Sequence, residues 1–138
     1  MAERRITVID EGRESPLTAT VESGAVRIRP EVLSAGLGWR LEAEGLCRGD
    51  VCVPVRDRTA LVTPDGVDLA ELARVLDRPL ALDADEGVAV LGASAAERGV
   101  RLASLEAPDF TLPDLAKRTH TLRDQRGKKT LLIAWASW

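Results

Sequence analysis

Cys47 and Cys52 are the residues whose type and spacing most directly permit chemistry in this chain. In Cys47-Arg48-Gly49-Asp50-Val51-Cys52 they stand five positions apart across a tight loop, close enough for a disulfide if the loop folds back and the Cα atoms come within about 7 Å. Arg48 is placed to favour thiolate over thiol in a neighbouring cysteine. Two readings of the pair stay open: a redox relay or resolving pair, and a structural role as small buried hydrophobes or a stabilising cross-link. In a reducing compartment, free thiols are expected rather than a permanent disulfide. No metal site is expected, because two thiolates and the single distant His120 fall short of a tetrahedral set.

The remaining reactive side chains carry less. His120 lies in the polar Thr119-His120-Thr121 stretch, read as a solvated turn residue with no Ser or Asp partner at a persuasive spacing. Arg48-Gly49-Asp50 is turn chemistry, and Asp83 and Asp85 fall in another turn. There is no G-x-G-x-x-G, and Gly127-Lys128 lacks the upstream glycine of a phosphate-binding loop. A nucleotide enzyme or hydrolase is not indicated, and no bound cofactor is expected.

The elements that must position the cysteines read as α+β with mostly antiparallel strands. Ile6–Ile9 is a strand; Thr18–Val21 and Ala25–Arg29 alternate around Ser23-Gly24 as a hairpin. Pro30–Gly38 is a short helix opened by proline and stopped by glycine. Trp39–Ala43 and Val51–Val55 are strand candidates joined through the Cys47–Asp50 loop, with Pro54 suited to an edge. Thr63–Gly66 is a turn. Leu69–Leu76 is the clearest helix, with Asp68 and Glu71 in a capping-box pattern, and Leu80–Leu82 pairs with Val88–Leu91. Residues 97–107 read as a crossing between domains.

Charge supports that division. The 138-residue chain has a net charge of −3, but residues 1–106 carry −6 and residues 107–138 carry +3, so a boundary is expected near 106. The basic stretch from Lys117 to Lys129 has no basic helix and no interleaved aromatics, which argues against a nucleic-acid partner. The start, Met1 to Asp10, lacks the apolar core of a signal peptide, and no later stretch approaches a membrane span. The expected location is the cytoplasm, with no membrane partner. Only four aromatic residues, Trp39, Phe110, Trp135 and Trp138, are present, so the core is aliphatic.

Leu131 to Trp138 is apolar on both faces of an extended segment, as in a strand buried on both sides of a mostly parallel sheet. Ala107-Pro108-Asp109-Phe110-Thr111-Leu112-Pro113-Asp114-Leu115, Leu122-Arg123-Asp124-Gln125-Arg126-Gly127-Lys128 and Leu131 to Trp138 together resemble the opening of a redoxin domain of the thioredoxin superfamily. That group includes alkyl hydroperoxide reductase/thiol-specific antioxidant proteins and TlpA-like disulfide reductases. The resemblance covers residues 107–138 only. It implies the first strands of a thioredoxin-like α/β domain following an α+β accessory domain over 1–106 that resembles no fold we can name. In the family, the residues matching Trp135, Ala136, Ser137 and Trp138 run straight into the active-site cysteine pair, so no catalytic residue is carried onto this chain. TlpA-like proteins are commonly exported or membrane-anchored; the N-terminal sequence of this chain favours a cytoplasmic redoxin.

The function implied is the N-terminal portion of a thiol or selenol oxidoreductase acting on disulfides or peroxides, with electrons from a partner thiol protein. The catalytic cysteine or selenocysteine would lie just beyond Trp138, and residues 1–138 alone would be inactive in that reaction. A fragment of a longer chain, a truncated gene and a selenoprotein whose in-frame UGA was read as stop all account for this. Against the last, 16 Arg to 3 Lys suggests a GC-rich genome in which UGA is an ordinary stop. The alternative is a binding or regulatory accessory module without catalysis. In either case the apolar strand from Leu131 is expected to present an edge prone to self-association.

Overall fold

In β1 (Ala2–Asp10) Ile6, Val8 and Asp10 are buried in strict alternation, and in β2 (Arg13–Glu22) Ser15, Leu17 and Ala19 are, the period-two pattern of strands with one solvated face. The two pair antiparallel, with Ile6 opposite Leu17 and Asp10 opposite Arg13. Glu11 and Gly12 connect them at φ of 53° and 78°, the left-handed pair that the twist of a two-residue hairpin demands. The computed structural model describes residues 2–136, and the chain falls into two compact units, one ending at Val100 and one starting at Arg101.

In the first unit, β3 (Ala25–Ile28) returns along β2 as the alternation predicts. Next comes α1 (Pro30–Leu37), with proline in its first turn and a left-handed Gly38 whose N–H donates to the Ser34 carbonyl. Three short strands, β4 (Arg40–Leu41), β5 (Leu46–Arg48) and β6 (Val51–Val53), make a separate antiparallel sheet in that order. The one-turn α2 (Arg58–Leu61) is held by the Asp57 carboxylate, which accepts from the Thr59 and Ala60 N–H groups; four residues are too few for an apolar period to reveal. β7 (Val62–Thr63) and β8 (Gly66–Asp68) flank the predicted turn. In α3 (Leu69–Val75) Asp68 accepts from the Ala70 and Glu71 N–H groups, while the Glu71 side chain pairs with Arg74 at 2.7 Å, so the cap is one-sided. β9 (Leu80–Asp83) and β10 (Val88–Leu91) form the last predicted hairpin.

The large sheet runs β7-β8-β3-β2-β1-β10-β9. All its pairs are antiparallel except β1 with β10, where Asp10 lies beside Leu91. Ile6, Val8, Leu17, Ile28, Ala89 and Leu91 from this sheet meet Leu33 and Leu37 of α1, Leu69 and Leu72 of α3, and Leu46 of the small sheet in one aliphatic core. The architecture is α+β. The stretch read as a crossing overlaps a helix, α4 (Ala95–Ala103), with no buried residue.

The second unit holds a short hairpin, β11 (Thr111–Pro113) with β12 (Thr119–Thr121), and a 3-10 turn at Leu122–Gln125. Thr121 and Asp124 cap that turn reciprocally, each side chain bonding the other's backbone. None of the described residues from Arg101 on is buried. His120 is not in a loop but on β12, and it has an acidic partner: Nε2 is 3.0 Å from Asp114 Oδ2. The reversal of the chain between β11 and β12 brings together residues that spacing alone does not connect.

The apolar run departs from expectation. Residues 131–136 form no strand and are exposed, Leu131 by 84% and Trp135 by 82%, because no described strand pairs with them and a segment apolar on both faces needs neighbours on both. Ser137 and Trp138 lie outside the described residues.

Two outcomes follow from the local geometry. Gly45 has φ of 145°, and a Cβ there would collide with the Val53 carbonyl. Gly45→Ala is therefore expected to lower the unfolding free energy by at least about 2 kcal/mol in urea denaturation. Asp114 is held below the ordinary aspartate value of 3.8, first by its hydrogen bond with His120 and then by the Arg118 N–H. Its contribution is complete above that value and is lost as pH falls through the lowered one. In an NMR titration the Asp114 carboxyl should titrate below a typical aspartate and move back toward it in His120→Ala.

Candidate functional site

The two cysteines are a disulfide. β5 and β6 pair with Cys47 directly opposite Cys52, with a Cα separation of 4.1 Å and no free cysteine among the described residues. Cys47 therefore sits on a strand rather than in the loop where the sequence places it, and the turn contracts to Gly49-Asp50. The expectation of free thiols gives way because cross-strand register sets the two side chains face to face. The two ends differ sharply: Cys47 is 4% exposed, while Cys52, on the outer strand of the small sheet, is open to solvent.

Arg48 does not serve the sulfurs as the sequence suggests. Neighbouring residues on a strand project to opposite faces, and the Arg48 guanidinium is committed elsewhere. Nη1 lies 2.9 Å from Asp10 Oδ2, Nη2 lies 3.0 Å from Glu11 Oε1, and the guanidinium carbon stands 4.7 Å above the centre of the buried Trp39 ring. That cation–π contact and the bidentate reach across two carboxylates suit arginine, whose planar fork offers several donors at once. Arg48 is thus the fastener between the cystine hairpin and the end of β1.

Asp10 anchors the fastener. The inward alternation of Ile6 and Val8 carries on to this carboxylate, which is 9% exposed, and a buried charge persists only with partners. Its second partner is Arg78, itself 5% exposed, with Nη2 at 2.6 Å from Asp10 Oδ1 in an ion pair that departs from hydrogen-bond alignment. Arg78 also donates from Nε to the Gly92 carbonyl at 2.6 Å and from Nη2 to the Leu91 carbonyl at 3.2 Å. The chain therefore carries an Arg78–Asp10–Arg48–Glu11 network that sequence reasoning missed. The available signal was the register of Asp10, two and four residues past Val8 and Ile6 on the inward face.

Two clefts flank Arg48. One, of about 620 Å³, is bordered by Asp10, Glu11, Arg13, Ser15 and Gly36; the other, of about 260 Å³, by Trp39, Val51, Arg78 and Ser94. In the larger, the Ser15 hydroxyl donates to the Gly36 carbonyl at 3.1 Å, so it is occupied by a structural bond. No group of metal-ligating side chains is found among the described residues.

Of the other candidates, Trp135 and Ala136 are exposed in irregular backbone. His120 and Asp114 make an exposed pair in the second unit. The arrangement best suited to chemistry is the cystine: a sulfur–sulfur bond with one end open and one end buried, on a hairpin pinned by Arg48. No helix of the described residues is long and apolar enough to cross a membrane. Comparison with family models, with curated proteins and with solved structures finds no match to this chain.

The two carboxylates that hold Arg48 should differ in weight. Asp10→Asn leaves Arg78 buried without a counter-charge and should cost about 3 kcal/mol. Glu11→Gln removes an exposed partner and should cost under about 1 kcal/mol. Chemical denaturation of the two variants beside the parent checks the order.

Proposed function

We propose that residues 107–138 open a thioredoxin-like redoxin domain. On this reading the chain is the N-terminal portion of a thiol or selenol oxidoreductase acting on disulfides or peroxides, its catalytic cysteine or selenocysteine following Trp138 and its electrons coming from a partner thiol protein. The observation that carries the reading is the occurrence of three sequence blocks in order, Ala107–Leu115, Leu122–Lys128 and Leu131–Trp138. The state of the second unit supports it. Leu112, Leu115, Leu131, Leu132, Ile133 and Trp135 are all exposed, and a segment this short cannot bury a core alone. An apolar run of this kind is what a larger sheet takes up, and without one it favours self-association.

The first unit is then an accessory domain. The clefts beside Arg48 favour a second reading, in which that domain is a binding or regulatory module and the chain takes no part in catalysis.

Sequencing the gene past the Trp138 codon tests the proposal. A cysteine codon or an in-frame UGA, followed by a continuing redoxin frame with a further cysteine within a few codons, is the expected result. The product of that full frame should reduce a hydroperoxide or a disulfide substrate with a dithiol donor, and replacing the first of those residues by serine should abolish the activity. A stop codon with no redoxin sequence beyond it would overturn the reading and leave the binding module.

A further inference from the structure

We infer that the Cys47–Cys52 cystine is a thiol–disulfide exchange site, opened by attack on the Cys52 sulfur by a protein dithiol. The inference concerns the first unit alone and stands whether or not the second is a redoxin.

Access sets the direction of the chemistry. Exchange requires a thiolate to reach one sulfur in line with the bond that breaks. Cys47 is 4% exposed on β5, the central strand of the small sheet, whereas Cys52 is open on β6, the outer strand, beside Val51, which is 60% exposed. An outer strand also leaves backbone donors and acceptors free to an approaching extended segment. The attacked atom is therefore Cys52 Sγ and the leaving atom Cys47 Sγ.

The balance is that of ordinary exchange. A thiolate of the dithiol bonds to Cys52 Sγ, the Cys47–Cys52 bond breaks, and Cys47 departs as a thiolate that takes up a proton. The second thiol of the reductant, deprotonated, then attacks the reductant's first sulfur, the bond between that sulfur and Cys52 Sγ breaks, and Cys52 leaves as a thiolate and is protonated. This chain gains two electrons and two protons, and the dithiol becomes a disulfide.

What makes the bond free to cycle is that the hairpin does not depend on it. Leu46 is fully buried, β5 is paired on both sides, and Arg48 is tied to Asp10 and Glu11 at 2.9 and 3.0 Å. All three restraints act on β5, the strand of the leaving cysteine, so Cys47 stays in register for reclosure after reduction. A cystine that merely staples a loop would be shielded, or its loss would release the loop.

The test uses the 138-residue chain. Dithiothreitol should reduce the folded protein at a rate within about tenfold of that in guanidinium-unfolded protein. The reduced protein should keep its far-ultraviolet circular dichroism and recover the disulfide with oxidised glutathione. Incubation with a thioredoxin whose second active-site cysteine is replaced by serine should trap a mixed disulfide, mapped by mass spectrometry to Cys52 with Cys47 free. Protection of the folded state by more than about a thousandfold or loss of fold on reduction would overturn the inference. So would a trap at Cys47.

Discussion

One buried carboxylate joins three parts of the first unit. Asp10 falls on the core face of β1 because strand alternation leaves it no other choice, and removing such a charge from water costs several kcal/mol unless partners surround it. Arg78 arrives from the turn after α3, and Arg48 from the small sheet. Arg78 also donates from Nε and Nη2 to the carbonyls of Gly92 and Leu91 at the end of β10. The same ion pair thus marks the register of β1 against β10, the one parallel pair of the large sheet. A slip by one residue would turn every inward side chain outward and would also strand a charge. Specificity of pairing and the position of the cystine hairpin are consequently coupled through this one side chain.

The hairpin is held by two devices of different kinds. The disulfide joins residues only 5 apart in sequence, and so short a closure restricts the unfolded chain by about 2 kcal/mol, less than a longer loop would. The Arg48 contacts and the burial of Leu46 act instead on the folded state, where a fully buried leucine side chain contributes about 1.5–3 kcal/mol. Since the second device does not involve sulfur, covalent closure and correct placement are separable. That separation distinguishes a cystine able to change oxidation state from one on which the local fold depends.

Much of the large sheet is legible in the sequence because it obeys local rules. The alternation around Ser23-Gly24, the proline and glycine that bracket α1, and the Asp68 cap of α3 each specify their element from a few neighbouring residues. The parts that are not legible depend on how the chain folds back on itself rather than on a local pattern. Nothing local to Arg78 announces that it will meet Asp10, and nothing near His120 points to Asp114. Cys47 reads as a loop residue because Leu46–Arg48 is too short to show a period, and its pairing follows from cross-strand register. The strand expected from Leu131 shows the opposite failure, since its local pattern is clear but a strand exists only as part of a sheet.

The acids of the second unit obey the same distinction. Residues 107–138 contain three acidic side chains, Asp109, Asp114 and Asp124, and each accepts a backbone N–H, from Arg123, Arg118 and Thr121 respectively. Asp124 is held below the ordinary aspartate value chiefly by the Thr121 N–H, as Asp114 is by His120. Asp114 and Asp124 each fix a turn in their own stretch of chain, whereas Asp109 reaches across 14 residues and ties the first stretch, Ala107–Leu115, to the second, Leu122–Lys128. Turn-fixing contacts in water are worth little each, and the unit adds no buried side chain to them among the described residues. The first two blocks are therefore written in the chemistry of turns, which an isolated segment can satisfy. The third, from Leu131, is written in the chemistry of a sheet interior, which it cannot.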